Sequence, residues 1–356
     1  MRRLRMGLCA AVLISVCTAA CSGDDDDDEP AEPTTATANA EAEAEAEAGT
    51  IAFYRFAQRD DIGIVDLSGG EPTILTQGSE LDWLLATRGV DWSPDGQWLV
   101  YGASRANGPG AERLRDIYVM RPDGSDLRAV TNVGDAAWPA WTADGESIVF
   151  SRLASEDTLP HGELWLVTLQ TGETRQLTEN LPGVADVLPS ASPTGDVIAF
   201  SRVNYDEDGP GARPYIYTLD LDGGEPELLI EDALEPDFSP DGSRLAYVSR
   251  ADQNGSLTYG EVTFFAAELY VANADGSDPQ RLTQTFELNE GHPTWVGEQR
   301  LVFQRGEKTG DTEASWLLEI NADGTCEREV LADATLGVLF SAPSWRPSES
   351  PPPIDC

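Results

Sequence analysis

A short string that returns about every 50 residues constrains the fold of this chain more than any other feature. Its copies read Val90-Asp91-Trp92-Ser93-Pro94-Asp95-Gly96, Pro139-Ala140-Trp141-Thr142-Ala143-Asp144-Gly145, Pro189-Ser190-Ala191-Ser192-Pro193-Thr194-Gly195 and Pro236-Asp237-Phe238-Ser239-Pro240-Asp241-Gly242. A degenerate Pro293-Thr294-Trp295-Val296-Gly297 and a terminal Pro343-Ser344-Trp345-Arg346-Pro347 follow. A unit of this length cannot bury an apolar face alone and must stack on its neighbours.

Each unit carries four strand signals. The first is short and ends in the Trp or Phe. A turn follows in which Pro sets φ at the first corner and Gly supplies positive φ. The second strand is apolar, as in Trp98-Leu99-Val100-Tyr101, Ile148-Val149-Phe150 and Leu245-Ala246-Tyr247-Val248. The third follows a longer loop, as in Asp116-Ile117-Tyr118-Val119-Met120. Asp-Gly turns at Asp123-Gly124, Asp222-Gly223, Asp275-Gly276 and Asp323-Gly324 lead to a fourth strand closing on Leu-Thr or a similar pair. Asp-Gly between such runs is a hairpin signal.

The expected fold is all-β, a six-bladed β-propeller of four-stranded blades. Five full units begin near Val90, Pro139, Pro189, Pro236 and Pro293. A partial unit at the start has Ile51-Ala52-Phe53-Tyr54, Ile62-Gly63-Ile64-Val65 and Thr73-Ile74-Leu75-Thr76 but lacks a first strand. The C-terminal Pro343-Ser344-Trp345 supplies it, so the last strand joins the N-terminal blade and closes the ring, removing exposed edges. An arginine follows the second strand of each unit: Arg55, Arg105, Arg152, Arg202, Arg250 and Arg305. Two roles are open to this series. It pairs with local acids such as Asp91 or Asp237 and holds blades together, or it binds an anionic group.

On these residues the unit resembles the WD40-like repeat of the TolB-like propeller family, also called PD40, over residues 49–347. The resemblance implies an exported, partner-binding propeller; proteins of that family serve the Tol–Pal envelope system in the periplasm. No separate N-terminal α/β domain precedes the first strand here, so it implies a PD40-repeat lipoprotein rather than a Tol–Pal component.

The N-terminal residues read as a targeting segment over 1–20. Arg2, Arg3 and Arg5 precede an apolar run, Met6 to Val16, too short to span a bilayer comfortably. Thr18-Ala19-Ala20 before Cys21 resembles a bacterial lipobox, which implies a lipid on Cys21. Ordinary cleavage after Ala20 is the alternative, and both export the chain. Residues 21–48 hold Asp24 to Asp28, two prolines and a Glu-Ala alternation, with no apolar face, and read as a disordered acidic tether. Residues 348–356 form a C-terminal tail. Cys326 and Cys356 remain as an even pair in an oxidising compartment, a disulfide candidate.

The net charge of −40 disfavours nucleic acid and anionic lipid as partners. No cofactor or metal is implied. There are two histidines, His161 and His292, and no Gly-x-Ser-x-Gly, His-Glu-x-x-His, Cys-x-x-Cys or Gly-x-Gly-x-x-Gly motif. The expectation is therefore a monomeric, lipid-anchored envelope module that binds a protein or peptide and is not an enzyme. Two alternatives stand: a glycan hydrolase or lyase with an acidic channel site, and a structural or solute-sensing surface protein. Loop parity puts the tight turns on one face and the long loops on the other, so the expected binding face is loop-rich. Its candidates are His161, Tyr205, Asp206, Asp208 and Tyr259.

Overall fold

The computed structural model describes residues 49–56, 60–76, 89–106, 113–153, 161–205, 214–259, 262–286, 288–309, 312–332, 339–347, 353, 354 and 356. The expected signal segment, Cys21 and the tether lie outside them. Every regular element described is a strand, and no helix long and apolar enough to cross a membrane occurs among the described residues.

The chain opens with β1 (Thr50–Phe56), β2 (Asp60–Asp66) and β3 (Thr73–Ile74). Next come β4 (Val90–Trp92), β5 (Leu99–Ala106), β6 (Arg113–Met120) and β7 (Arg128–Ala129). The third unit holds β8 (Ala136–Trp141), β9 (Ser147–Leu153), β10 (Gly162–Thr168) and β11 (Thr174–Gln176), and the fourth β12 (Val184–Ala191), β13 (Val197–Asn204), β14 (Pro214–Asp220) and β15 (Glu227–Glu231). In the fifth, β16 (Ala233–Phe238) and β17 (Arg244–Ser249) are separated from β20 (Glu268–Asn273) and β21 (Gln280–Arg281) by a hairpin of β18 (Ser256–Tyr259) and β19 (Val262–Phe265). Finally come β22 (Asn289–Val296), β23 (Arg300–Thr309), β24 (Thr312–Asn321), β25 (Arg328–Ala332) and β26 (Leu339–Trp345).

These strands form a propeller, but not the expected six separate four-stranded sheets. There are four such sheets: β26-β1-β2-β3, β4-β5-β6-β7, β16-β17-β20-β21 and β22-β23-β24-β25. The third and fourth units merge into one eight-stranded sheet, because β10 and β12 share a parallel pairing at Gly162↔Ala185. Gly162 makes that contact: a Cβ there would sit 2.9 Å from Leu153 and 3.4 Å from the Ala185 Cβ. The C-terminal β26 pairs antiparallel with β1, from Ile51↔Trp345 to Phe56↔Leu339. The first strands touch in the order β4, β8, β12, β16, β22, β26 and back to β4.

The repeated string has a repeated physical cause. The Ser93 hydroxyl donates to Asp95 Oδ1 at 2.6 Å and accepts from the Trp98 N–H at 2.9 Å, while Gly96 turns at φ 63°. Thr142, Asp144 and Gly145 repeat this, as do Ser239, Asp241 and Gly242. Hydrogen bonding from Ser239 holds the Asp241 carboxyl down at about 2. In the fourth unit Thr194 replaces the aspartate, its contact to Ser192 lengthens to 3.4 Å, and Gly195 is absent from the left-handed region.

The fourth strands are shorter than the Leu-Thr ending suggests. Thr76, Thr131, Thr178 and Thr283 lie just past the ladder, and each hydroxyl accepts an N–H of the third strand at 2.9–3.0 Å. Three of these hydroxyls donate onward to a buried acid, Asp61, Asp116 or Glu268. Between the sheets lie apolar clusters; one joins Ile51, Phe53 and Trp345 to Val302 and Leu317.

Cys326 and Cys356 are joined as a disulfide, with Cα atoms 5.2 Å apart. Beside it, Ile354 exchanges two hydrogen bonds with the Asn321 side chain, at 2.7 and 3.0 Å. The bridge closes a loop of 30 residues that contains β26, so its loss frees the strand paired with β1. Cys326→Ser/Cys356→Ser is expected to cost about 3–4 kcal/mol in urea unfolding, from loop-closure entropy. An unchanged midpoint would show that the bridge adds nothing to the fold.

Candidate functional site

The first strands of the repeat enclose a cavity of about 410 Å³. β4, β8, β12, β16, β22 and β26 all contribute to its wall, as do Pro94, Ala143, Pro193, Pro240 and Pro347 from the turns that follow. The cavity therefore lies toward the tight-turn face. Of the candidates expected on the loop-rich face, neither of the two whose side chains are described, His161 and Tyr205, lines it. Tyr205 is 38% exposed, at the end of the fourth unit's second strand. His161 is half-buried, with Nδ1 unpartnered among the described residues. Tyr259 lies in β18, and its side chain, like Asp206 and Asp208, falls outside the described residues.

Four strands of the wall are bulged at the same place. Their registers shift between Ala137 and Ala140, Val187 and Ser190, Leu234 and Asp237, and Gly291 and Thr294. In each bulge the residue before proline takes a left-handed conformation: Trp138 at φ 47°, Leu188 at 55°, Glu235 at 59° and His292 at 50°. A residue before proline is normally extended, and a non-glycine residue at positive φ costs on the order of 1–3 kcal/mol. The same strained position recurs four times, and all four side chains line the cavity. The bulge re-aims the strand, as bulges at binding sites do.

At the matched position two residues after each bulge, or its equivalent, the wall carries Asp91, Ala140, Ser190, Asp237, Thr294 and Ser344. This gives two matching hydrogen-bonded sets. Asp91 accepts from the Ser344 hydroxyl at 2.9 Å and from the Trp141 N–H at 2.9 Å. Asp237 accepts from the Ser190 hydroxyl at 3.2 Å and from the Trp295 N–H at 3.1 Å. Each serine also accepts from the backbone beside the aspartate, Ser344 from Trp92 at 3.2 Å and Ser190 from Phe238 at 3.3 Å. Each aspartate thus stitches three consecutive first strands together.

Burial pushes the Asp91 carboxyl up to about 6. Burial, and then the charge of Asp91, push Asp237 up to about 7. Both folded-state values lie above the ordinary aspartate value, so the native state holds more protons than the unfolded chain between about pH 4 and 7. Their contribution to stability is therefore greatest at low pH and is lost as pH rises through that window. The urea stability of wild type relative to Asp91→Asn/Asp237→Asn is expected to fall between pH 4.5 and 7.5, by on the order of 1.4 kcal/mol for each tenfold change in proton affinity. A difference that is flat or rises with pH contradicts this.

The arginine series is engaged elsewhere, which corrects one expectation. Arg55 meets Asp61 at 2.9 Å, Arg152 meets Asp135 at 2.8 Å and Arg202 meets Asp186 at 2.6 Å. Arg305 meets Glu290 at 2.8 Å and also Glu327. These acids lie in the same four-stranded unit as their arginine. Asp91 and Asp237 are not their partners and do the joining between units instead, because the second-strand ends lie far along the sheet from them. Arg250 lies within the electrostatic reach of Glu235. The Arg105 side chain falls outside the described residues. No group of three or more potential metal ligands occurs among the described residues.

No family model matches the sequence. Atu1656 of Agrobacterium fabrum, a protein of uncharacterised function, is 27% identical over 213 residues, 55% of this chain and 66% of its own. The peptidase YuxL of Bacillus subtilis is 26% identical over 164 residues, 44% of this chain and 20% of its own. The Tol-Pal system protein TolB of Nitratidesulfovibrio vulgaris is 30% identical over 141 residues, 38% of this chain and 28% of its own. The chain thus spans less than two thirds of each. Among solved structures, TolB from Acinetobacter baumannii superposes with a TM-score of 0.61 at 20% identity, over 85% of this chain and 68% of that one. A putative TolB from Agrobacterium tumefaciens gives 0.54 at 17%, over 85% and 100%. With its repeated strand units and these structural neighbours, the chain has the β-propeller fold seen in the TolB structures.

Proposed function

We propose that this chain is a cell-envelope lipoprotein whose propeller takes a segment of a partner protein into its central cavity. The eight-stranded sheet counts as two blades on this reading, and the β26–β1 pairing closes a six-bladed ring; the cyclic contact of the six first strands supports it. A lipid on Cys21 and the acidic tether of residues 22–48 hold the ring away from the membrane. The observation that carries the binding role is the cavity with its recurrent strained bulge, since strain of this kind persists where it serves a site. The names of the relatives favour a protein partner in the envelope.

The test is photo-crosslinking in intact cells from p-benzoylphenylalanine at Leu188, with Leu127 as an exposed control away from the cavity. A single defined envelope protein joined at Leu188 and not at Leu127 supports the proposal. Equal labelling at both sites, or none at Leu188, overturns it. A second reading, a glycan hydrolase, draws on the two carboxylates raised to about 6 and about 7 at the cavity wall. It requires turnover that Asp91→Asn or Asp237→Asn abolishes, and crosslinking without turnover removes it.

A further inference from the structure

The charge distribution of the cavity identifies the kind of segment that fits it. Among the described residues three carboxylates line the wall, Asp91, Glu235 and Asp237, and no lysine or arginine does. His292 lies against Glu235, its N–H donating to Oε2, so it does not offset the aspartates. Among the described residues, four of the six buried carboxylates, Asp61, Asp186, Glu290 and Glu319, have an arginine within 2.9 Å, whereas Asp116 and Glu268 accept from hydroxyl, amide and backbone N–H donors. Among the described residues Asp91 and Asp237 likewise receive only neutral donors, hydroxyl and backbone N–H, and unlike Asp116 and Glu268 they line this cavity. A carboxylate has room for more acceptor contacts than these use.

The walls suit the rest of such a side chain. Proline and tryptophan accept an aliphatic stem, and an indole face attracts a cation. Tryptophans of this wall already do so: Arg244 lies 4.4 Å over Trp295, and Arg346 lies 5.3 Å over Trp92. The chain itself is a poor source of the cation. Residues 22–48 contain no lysine or arginine, and a second copy brings another net charge of −40. We infer that the cavity receives a lysine or arginine side chain presented by the partner's segment, an inference that rests on the binding role proposed above.

The test uses the whole exported chain labelled with 5-fluorotryptophan and followed by fluorine NMR, the Trp138 resonance being assigned with Trp138→Phe. Four probes are titrated: acetyl-Gly-Arg-Gly-amide, its neutral citrulline counterpart, acetyl-Gly-Glu-Gly-amide and spermidine. The arginine peptide is expected to shift Trp138 saturably, with the citrulline peptide about tenfold weaker and the glutamate peptide weaker still. Asp91→Asn/Asp237→Asn is expected to erase the preference for arginine. Should that variant fold poorly by circular dichroism, Glu235→Gln is expected to reduce it. Equal shifts from arginine and citrulline peptides overturn the inference while leaving the binding role intact, and no shift of Trp138 from any peptide removes both. Tighter binding of spermidine than of the arginine peptide also overturns it, because the occupant is then a free amine.

Discussion

A chain ending at residue 338 is expected to lose its cooperative fold. The truncation removes β26, and with it every ladder hydrogen bond on one side of β1. Ile51, Ala52 and Phe53, all fully buried, would then lie on an open edge, which invites pairing with other chains. Trp345 leaves the cluster it shares with Phe53, Val302 and Leu317. Asp91 loses the Ser344 hydroxyl and keeps its burial, so an acid that is already costly to ionise loses a donor. Arg346, which donates to the Gly96 carbonyl at 3.0 Å, goes too. Together these losses exceed the roughly 5–15 kcal/mol by which domains are stable. Soluble yield, near-ultraviolet circular dichroism and urea unfolding check this. A sharp transition with a midpoint near that of the full chain would show that β26 is an appendage. Adding a synthetic peptide of residues 339–356 is expected to restore the near-ultraviolet signal, since the missing element is a strand that pairs through its backbone.

What the sequence discloses and what it hides divide along a physical line. The strand order of each unit is legible because hairpin turns leave local chemistry: Asp95, Gly96 and Ser93 are contiguous and bond to one another. The missing first strand of the opening unit points to Trp345 for the same reason, since the pattern is local even where the pairing is not. The merging of two units through Gly162 and Ala185 is not legible, because one parallel pairing depends on how closely two sheets approach. The strained bulges are hidden as well. Local preference puts Trp138, Leu188, Glu235 and His292 in extended backbone, and only the packing of neighbouring first strands against one another overrides it.

The site itself escaped for two reasons. With 63 acidic residues in the chain, no carboxylate stands out by type. Loop length directs attention to the loop-rich face, toward Tyr205 and His161, whereas the cavity sits among the tight turns. A usable signal was present. Matched positions of the repeated string read Asp91, Ala140, Ser190, then Asp237, Thr294, Ser344, a repetition that the hydrogen bonds of Asp91 and Asp237 explain.

Trp295→Ala is expected to destabilise the protein by about 3–5 kcal/mol, the range for deleting a large buried aromatic. Trp295 is 2% exposed and fills the space between Leu269, Val271, Leu301 and Phe303. Its indole N–H donates to the Asp237 carbonyl at 3.0 Å, and its backbone N–H donates to Asp237 Oδ2 at 3.1 Å. Arg244 covers the ring at 4.4 Å and donates to the Glu298 carbonyl. The alanine variant keeps the backbone bond and loses the ring, the indole bond and the seat of Arg244. Trp295→Phe separates these contributions: most of the volume stays, the Asp237 carbonyl loses its donor, and the expected loss is about 1–3 kcal/mol. Urea midpoints of the two variants at pH 7.5 give both numbers. If alanine costs no more than phenylalanine, packing at this position is not what holds the fifth and sixth units together, and the Asp237 hydrogen bonds carry that junction alone. If alanine costs several kcal/mol more, the ring is the main joint, and the aspartates serve chiefly to shape the cavity they line.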